Sequence, residues 1–487
     1  MQLNVCGPAY KHVYQDVNNQ KCLNMYPIQV GPDGRGKATL IPTTGSTALT
    51  NLGVNPIRCM GVVGDYVYVV EGTNVHKLSI DLTTLAVTDT VIGTFTSTTA
   101  GVMYMAANPT QIIWVDGSTK GYMYTPGTGV FQEITATDSD FTGGGQVVFI
   151  DSYFVVNDPG TGQFYFSASN NGLNWDAADV ATAETSTDNI VGLGVTKGEL
   201  WVIGERSTEI WYNAANVSGS PFSLRTGLQM QIGCSAPASI VNVNDLLIWL
   251  DHRGFVVQSS VSPFIRSNNS GYDLTIISDE AITSDILTYA RRDDAIAISY
   301  NDRGHIMYQI TFPTANKTWV YDYTTKVWHE RNYQVYSTGE SRFHIGQFFA
   351  QIGTIQLMAG LNDGQIFLMS DTSYDDAGNP ILRNRTTSVQ YDPEKFRFAG
   401  VDRLELRVAI KQHSVPDPQI TMRYSNDGGH TWSFHIARDL PKVGEYAEPV
   451  IWNRLGGARE WIFEFTTTEA IPFAIIDCEV WPSELED

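Results

Sequence analysis

The sequence predicts an all-β protein, a β-propeller of six or seven blades with an additional C-terminal β-sandwich-like domain. Three observations carry that expectation. Seven strand–turn–strand units recur between residues 66 and 368. The chain is rich in turn formers and aromatics, with 43 Gly, 20 Pro, 23 Tyr, 21 Phe and 11 Trp, a composition that suits strands joined by tight turns. Helical periodicity is scarce, and its best instance is the short run Ser284-Asp-Ile-Leu-Thr-Tyr-Ala-Arg-Arg292, read as a helix with Ser or Asp at its cap and arginines in its last turn.

The units run in order. Tyr66–Gly72 leads into Val75–Leu78, Ile112–Gly117 into Tyr122–Tyr124, and Tyr153–Gly160 into Phe164–Phe166. Leu200–Gly204 leads into Glu209–Tyr212, Leu246–Gly254 into Phe255–Val257, Ala295–Gly304 into Ile306–Tyr308, and Ile355–Met358 through Asn362-Asp-Gly364 into Ile366–Leu368. Their turn glycines are spaced 45, 43, 44, 50, 50 and 60 residues apart. Glycine supplies the positive φ that a tight hairpin needs, and a unit of about 40–50 residues is the size of one propeller blade. Trp319–Trp328 reads as an outer blade hairpin. Two large β-sandwiches are the competing architecture, since they too carry a strand every 8–12 residues or so.

The periodic part fades near residue 370, and Thr372–Pro380 is a loop of helix and strand breakers. Beyond it, Arg403–Ile410, Gln419–Tyr424, Trp461–Phe465 and Ala474–Val480 alternate cleanly, as strands with one wet face do. The expected division is residues 1–55 as an N-terminal arm with leading strands, 56–384 as the propeller body, and 385–487 as the C-terminal β-domain.

At 487 residues and 43% hydrophobic content the chain has ample material for packed cores, which excludes global disorder. Its 31 basic against 52 acidic residues leave a net charge of −21. That balance argues against a surface that grips nucleic acid by counterion release. Residues 61–200 hold fifteen acidic residues and three lysines, a net of −12, read either as solvated loop tips or as a surface facing something that must not stick. Five cysteines (Cys6, Cys22, Cys59, Cys234 and Cys478) have neither metal-ligand spacing nor an even count, so buried, reduced thiols are expected. Neither a signal peptide nor a transmembrane helix is expected, and folding in a cytoplasm follows.

The chemical motifs are few. Ser425-Asn-Asp427-Gly-Gly429-His-Thr431-Trp432 matches the Asp-box pattern S-x-D-x-G-x-T-W, and Ala168–Trp175 is a degenerate copy. The pattern describes a turn: a short carboxylate accepts backbone N–H groups, glycine takes positive φ, and tryptophan covers the loop. Asp boxes resemble those of sialidases, six-bladed propellers in which the boxes are structural. A sialidase needs an arginine triad, an N-terminal Arg-Ile-Pro-type segment and a Tyr–Glu nucleophile pair. Here Pro56-Ile57-Arg58 stands in reversed order, and no such pair is assignable. The nine histidines are scattered, and Asp251-His252 falls in a hairpin turn. Asp138-Ser-Asp140 reads as an acidic turn, since it lacks the EF-hand loop pattern. No catalytic residue, cofactor or metal site is expected.

A more informative likeness runs through both ends and the middle. Gln20-Lys-Cys22-Leu-Asn24-Met25-Tyr26-Pro27, followed by Lys37–Leu40 and Pro42-Thr-Thr-Gly45, resembles the opening of the tail nozzle proteins of short-tailed bacteriophages, also called packaged-DNA stabilisation proteins. Ile190–Gly194, Leu200–Gly204, Ser207–Tyr212 and Gly233–Ile240 are similar to the family's central blade. Ser425–Trp432 and Trp452-Asn-Arg454-Leu-Gly456-Gly-Ala-Arg459 are similar to its C-terminal domain. The resemblance implies a structural virion protein of the tail, assembled in the host cytoplasm as a hexameric ring. In such a ring the tail adaptor lies above, a needle or fibre and tailspike components lie below, and DNA passes through without specific binding or membrane insertion. It further implies that Trp452, Arg454, Gly456 and Arg459 form a turn and salt-bridge element, within the domain or at a subunit contact. A glycan-binding or sialidase-like propeller, and a scaffold propeller that binds peptides, are the alternatives.

Overall fold

The computed structural model describes residues 2–12, 14, 16–30, 38–97, 100–135, 140–183, 186–216, 219–266, 269–391, 399–445 and 448–483. Seven antiparallel sheets form the blades of a propeller. Blades 1 to 6 span residues 57–94, 104–134, 147–182, 190–224, 241–276 and 296–334, each with four strands in sequence order. Blade 7 takes three strands from residues 348–370, and its outermost strand is Gly45–Asn51, paired antiparallel with Gln365–Ser370. An N-terminal strand thus completes the last blade and closes the ring. The first strands of the seven blades neighbour one another around the axis, blade 7 returning to blade 1.

Each recurrent unit falls within one blade. In six blades the unit is the middle hairpin. In blade 6 the unit ending at Gly304 joins the first two strands, Ile296–Asp302 and His305–Phe312. Its middle turn lies at residues 313–316 instead, and Lys317–Asp322 with Val327–Gln334 forms the outer hairpin expected over Trp319–Trp328. The 60-residue step from Gly304 to Gly364 follows, because Gly304 stands one turn early in its blade. A long hairpin in blade 5 and the only α-helix among the described residues lie between blades 5 and 6.

That helix corrects the expected segment. It spans Glu280–Thr288, begins four residues earlier than expected, and ends before the arginines. Asp279 is the cap, its carboxylate accepting the Ile282 N–H at 2.9 Å; an Asp followed at once by Glu280 gives the first turn both a cap and a favourable charge. Arg291 lies outside the helix and pairs with Asp293 at 2.7 Å. Among the described residues no helix is long and apolar enough to cross a membrane.

Blades pack through apolar seams. Trp114, Trp201 and Trp249 occupy the second strands of blades 2, 4 and 5 and are fully buried. Trp201 and Trp249 meet edge to face at 6.3 Å across the blade 4–5 seam, a favourable geometry for aromatic quadrupoles. All five cysteines are buried and unpaired. Burial pushes the thiols of Cys59 and Cys234 up to about 12, which keeps them un-ionised and unreactive.

The second domain is a sandwich whose strands come from both ends of the chain. One sheet runs Met25–Gln29, Ala38–Pro42, Phe473–Ser483, Ala399–Ile410, Val450–Ala458, with Gln2–Leu3 added to Phe473–Ser483. The other contains Arg383–Thr386, Glu460–Thr467, Gln419–Ser425 and Ile436–Asp439. Leu404, Leu406, Trp452, Phe463, Phe465 and Ile475 fill the space between, together with Met25 and Leu40 from the N-terminal hairpin. The two domains share hydrogen-bonded backbone. Cys22–Leu23 pairs in parallel with Val327–Gln334 of blade 6 and antiparallel with Arg383–Thr386, so the blade 6 sheet runs on into the sandwich.

Because residues 1–51 serve both domains, their removal is expected to leave no cooperatively folded core. A chain truncated to residues 52–487 should lose the sharp thermal transition of the full chain. A truncated protein that melts cooperatively at the same temperature would contradict the closure role of Gly45–Asn51.

Candidate functional site

The most highly built region is the seam between propeller and sandwich, where the Asn24-Tyr26-Pro27 phrase lies. The strand Met25–Gln29 alternates its side chains between two cores, as a strand must. Met25 enters the sandwich core. Tyr26 and Ile28 point the other way, onto Ile298, Tyr300, Met307 and Val320 of blade 6 and Met358 and Met369 of blade 7. On the paired strand Leu40 joins the sandwich and Ile41 the propeller. Pro27 is tolerated because this strand ends its sheet and needs no outward N–H.

Tyr26 is completely buried. Its ring stacks on His329 at 5.7 Å and meets the edge of His305 at 5.3 Å. His305 Nδ1 lies 2.7 Å from Asp322, whose carboxylate also accepts the N–H groups of Thr324 and Thr325. Burial drives His329 down to about 3, so it stays neutral. Asn24 adopts a left-handed φ of 53°, a conformation that asparagine tolerates better than most residues. Its side chain donates to Leu382 O at 2.8 Å and accepts from Asn332 N at 3.0 Å, one bond to each domain's flank.

Three arginines complete the seam. Arg331 donates to Tyr300 Oη at 3.0 Å and to Thr44 O. Thr44 in turn donates its N–H to Asp302 at 3.1 Å. Arg383 donates to Tyr374 O and Glu469 O, and Arg385 to Val5 O, Gly7 O and Gln20 Oε1. Burial lowers Arg383 to about 10, so it remains charged at neutral pH. These guanidiniums bind backbone carbonyls inside the protein. They do not converge on an open pocket as a carboxylate-binding triad would. Arg58 likewise donates to Gly101 O and Gly72 O from a buried position. Sequence reasoning missed Arg331, Arg383 and Arg385. The one signal is Arg383-Asn-Arg385, two arginines on the same face of a short strand, and it says nothing of what covers that face.

The Asp box forms the expected turn after Gln419–Ser425. Asp427 accepts the Thr431 N–H at 2.8 Å and its hydroxyl at 2.6 Å, while Ser425 Oγ donates to Asp427 and accepts from Gly429 N. Trp432 Nε1 donates to Gly429 O at 3.1 Å. The degenerate copy keeps the same bond, Trp175 Nε1 to Gly172 O at 2.8 Å, within blade 3. Gly428 and Gly429 have φ of 69° and 94°, and a Cβ on either would lie under 3 Å from Asp16 or Asn19. The box is therefore a seat for residues 16–19 of the N-terminal segment, with His430 Nε2 2.8 Å from Asp16.

Trp452 is buried in the sandwich and donates to Ile436 O at 2.9 Å, holding the strand that follows the Asp box. Arg454 is the exposed residue of a β-bulge, at φ 59°. Gly456 is exposed at φ 94°, and Arg459 lies in the turn before Glu460–Thr467. Thus the structure joins Asn24, Tyr26 and the Asp box through one N-terminal segment, and leaves Arg454, Gly456 and Arg459 on the outer surface.

Among the described residues no group of three or more His, Cys, Asp or Glu is arranged to hold a metal ion. Asp251 accepts the N–H groups of Arg253 and Phe255, so Asp251-His252 is a turn device. Asp138 and Ser139 lie outside the described residues.

Comparison with known proteins bears on this architecture. A family model described as the β-propeller of bacteriophage P22 Gp10 matches residues 1–373, and a second, described as its β-sandwich, matches residues 386–481. The chain belongs to the bacteriophage P22 Gp10 family. It is thus a tail nozzle, or stabilisation, protein of the phage tail. No curated protein matches it. Similar solved structures include the WD40 β-propeller domain of Doa1, with 10% identity, TM-score 0.41, and coverage of 67% of this chain and 97% of that one. Another is the computationally designed Ika8 protein, with 8% identity, TM-score 0.38, and coverage of 67% and 100%. As a Gp10-family protein the chain is a structural component of the virion.

Two outcomes follow for this region. Asn24→Ala should lower stability by about 2–3 kcal/mol, since it strands buried partners in both domains, measured by urea unfolding; an unchanged midpoint would remove Asn24 from the seam. Asp427 is held down to about 2 by the donors of Thr431 and Ser425. Its contribution is present above its unfolded value near 4 and lost as pH falls toward 2. NMR titration should find that low value in the wild type, and Asp427→Ala should loosen the turn by about 1–2 kcal/mol. A carboxyl titrating near 4 would refute the turn geometry.

Proposed function

We propose that this chain is a subunit of a ring, six copies in number, that extends the DNA channel below portal and adaptor, retains the packaged genome and conducts it at ejection. The observation that carries the reading is the match of both domains, in order, to one phage tail family. Tail needle or fibre and tailspike components below the ring, and assembly in the host cytoplasm, belong to the same proposal. The exposed Arg454, Gly456 and Arg459 are the proposed subunit contact on the sandwich.

Charge supports a non-sticking path. The acidic stretch 61–200 falls in blades 1–4, and blades 2 and 3 stand opposite blade 6, where the sandwich joins. Some of its carboxylates serve the fold. Glu71 accepts Asn55 N at 2.7 Å, and Asp116 and Glu199 are buried beside Arg58 and Arg225. Asp65, Asp81, Asp89, Asp140, Asp151 and Asp176 remain exposed. Repulsion screened within about 8 Å at physiological salt would centre DNA without giving it a place to dwell. The propeller's own axis is a poor candidate for that path. Its cavity of about 560 Å³ is walled by the inner strands, too small for a duplex whose major groove alone is about 12 Å wide. The channel would belong to the ring of subunits.

A virion reconstruction should place six copies around the tail axis with blades 1–4 toward the lumen. Reversing Asp65, Asp151 and Asp176 to lysine should slow genome ejection. Finding the chain on the capsid surface, or a lumen lined by the sandwich, would overturn the proposal.

A further inference from the structure

The axial cavity of the propeller has a chemistry of its own. It is about 560 Å³ and is walled by the inner strands of all seven blades, with Val62, Met105, Val148, Leu193, Ile298 and Phe349 among its side chains. None of the lining residues is charged, in a chain that carries 83 acidic and basic residues. The amide side chains in the wall are already engaged by the protein. Gln146 donates to Pro237 O at 2.9 Å and accepts from Leu193 N at 2.7 Å. Gln347 donates to His344 O and accepts from Leu361 N at 3.1 Å. Asn242 donates to Val195 O at 3.1 Å.

The wall therefore offers a guest shape and uncharged, largely apolar side chains, with the hydroxyls of Tyr104 and Ser299 as its polar points. Small-molecule sites are lined mostly by apolar and aromatic side chains with a few polar groups, and thioether and aromatic side chains such as Met105 and Phe349 adapt to flat or flexible guests. We propose that the propeller axis is a binding site for one uncharged apolar molecule, an alkyl chain or an aromatic ring system. The site is independent of the nozzle reading, since it needs neither ring assembly nor DNA.

The test uses the full chain and the uncharged dye N-phenyl-1-naphthylamine, with 1-decanol as competitor. Saturable 1:1 fluorescence enhancement, displaced by decanol, is expected. Val148→Trp, which fills the cavity, and Ser299→Glu, which places a charge in its wall, should each weaken binding at least about tenfold. Circular dichroism identifies any variant that fails to fold, and the other variant then decides. Absence of saturable binding, or binding that a folded variant leaves unchanged, would overturn the site. So would equal affinity for the sulfonated, anionic analogue of the dye.

Discussion

The structure depends on one hairpin buried on both faces. Met25–Gln29 and Ala38–Pro42 send alternate side chains into two different cores. A β-strand has a side-chain period of two, so a one-residue slip would exchange every contact between propeller and sandwich. Register here is therefore set by both domains at once. The residues on either side extend the constraint. Cys22–Leu23 carries the blade 6 sheet into the sandwich, and Gly45–Asn51 completes blade 7.

Backbone polar groups in such a seam must be satisfied without water. The protein meets that demand with long cationic side chains that reach carbonyls: Arg331 to Thr44, Arg383 to Tyr374 and Glu469, and Arg385 to Val5 and Gly7. A planar guanidinium with five donors suits several carbonyls at once, which a lysine ammonium does not. The Asp box performs a related task at the sandwich end. Its glycines allow residues 16–19 to approach the turn, so a motif known for stabilising a loop here also seats the chain's first segment.

In a propeller each blade touches only its neighbours, and the weak point is where the first and last blades meet. Here that closure is made by a strand whose other end is anchored in a second domain.

The sequence by itself determined the repeat, the turn chemistry and the near absence of helix, because each is a local property. A Gly turn every 43–60 residues, alternation within each strand and the Asp-box pattern are all readable within a few residues. The identity of the N-terminal phrase Asn24-Tyr26-Pro27 was legible, but its work was not. Only the tertiary structure decided that Tyr26 faces blade 6 while Met25 faces the sandwich, that the blade count is seven with the first strand closing the last blade, and that Arg331, Arg383 and Arg385 are buried. Several of these pairings join residues some 290 to 380 positions apart. Local pattern marks a strand and its two faces; what covers each face is set by long-range packing.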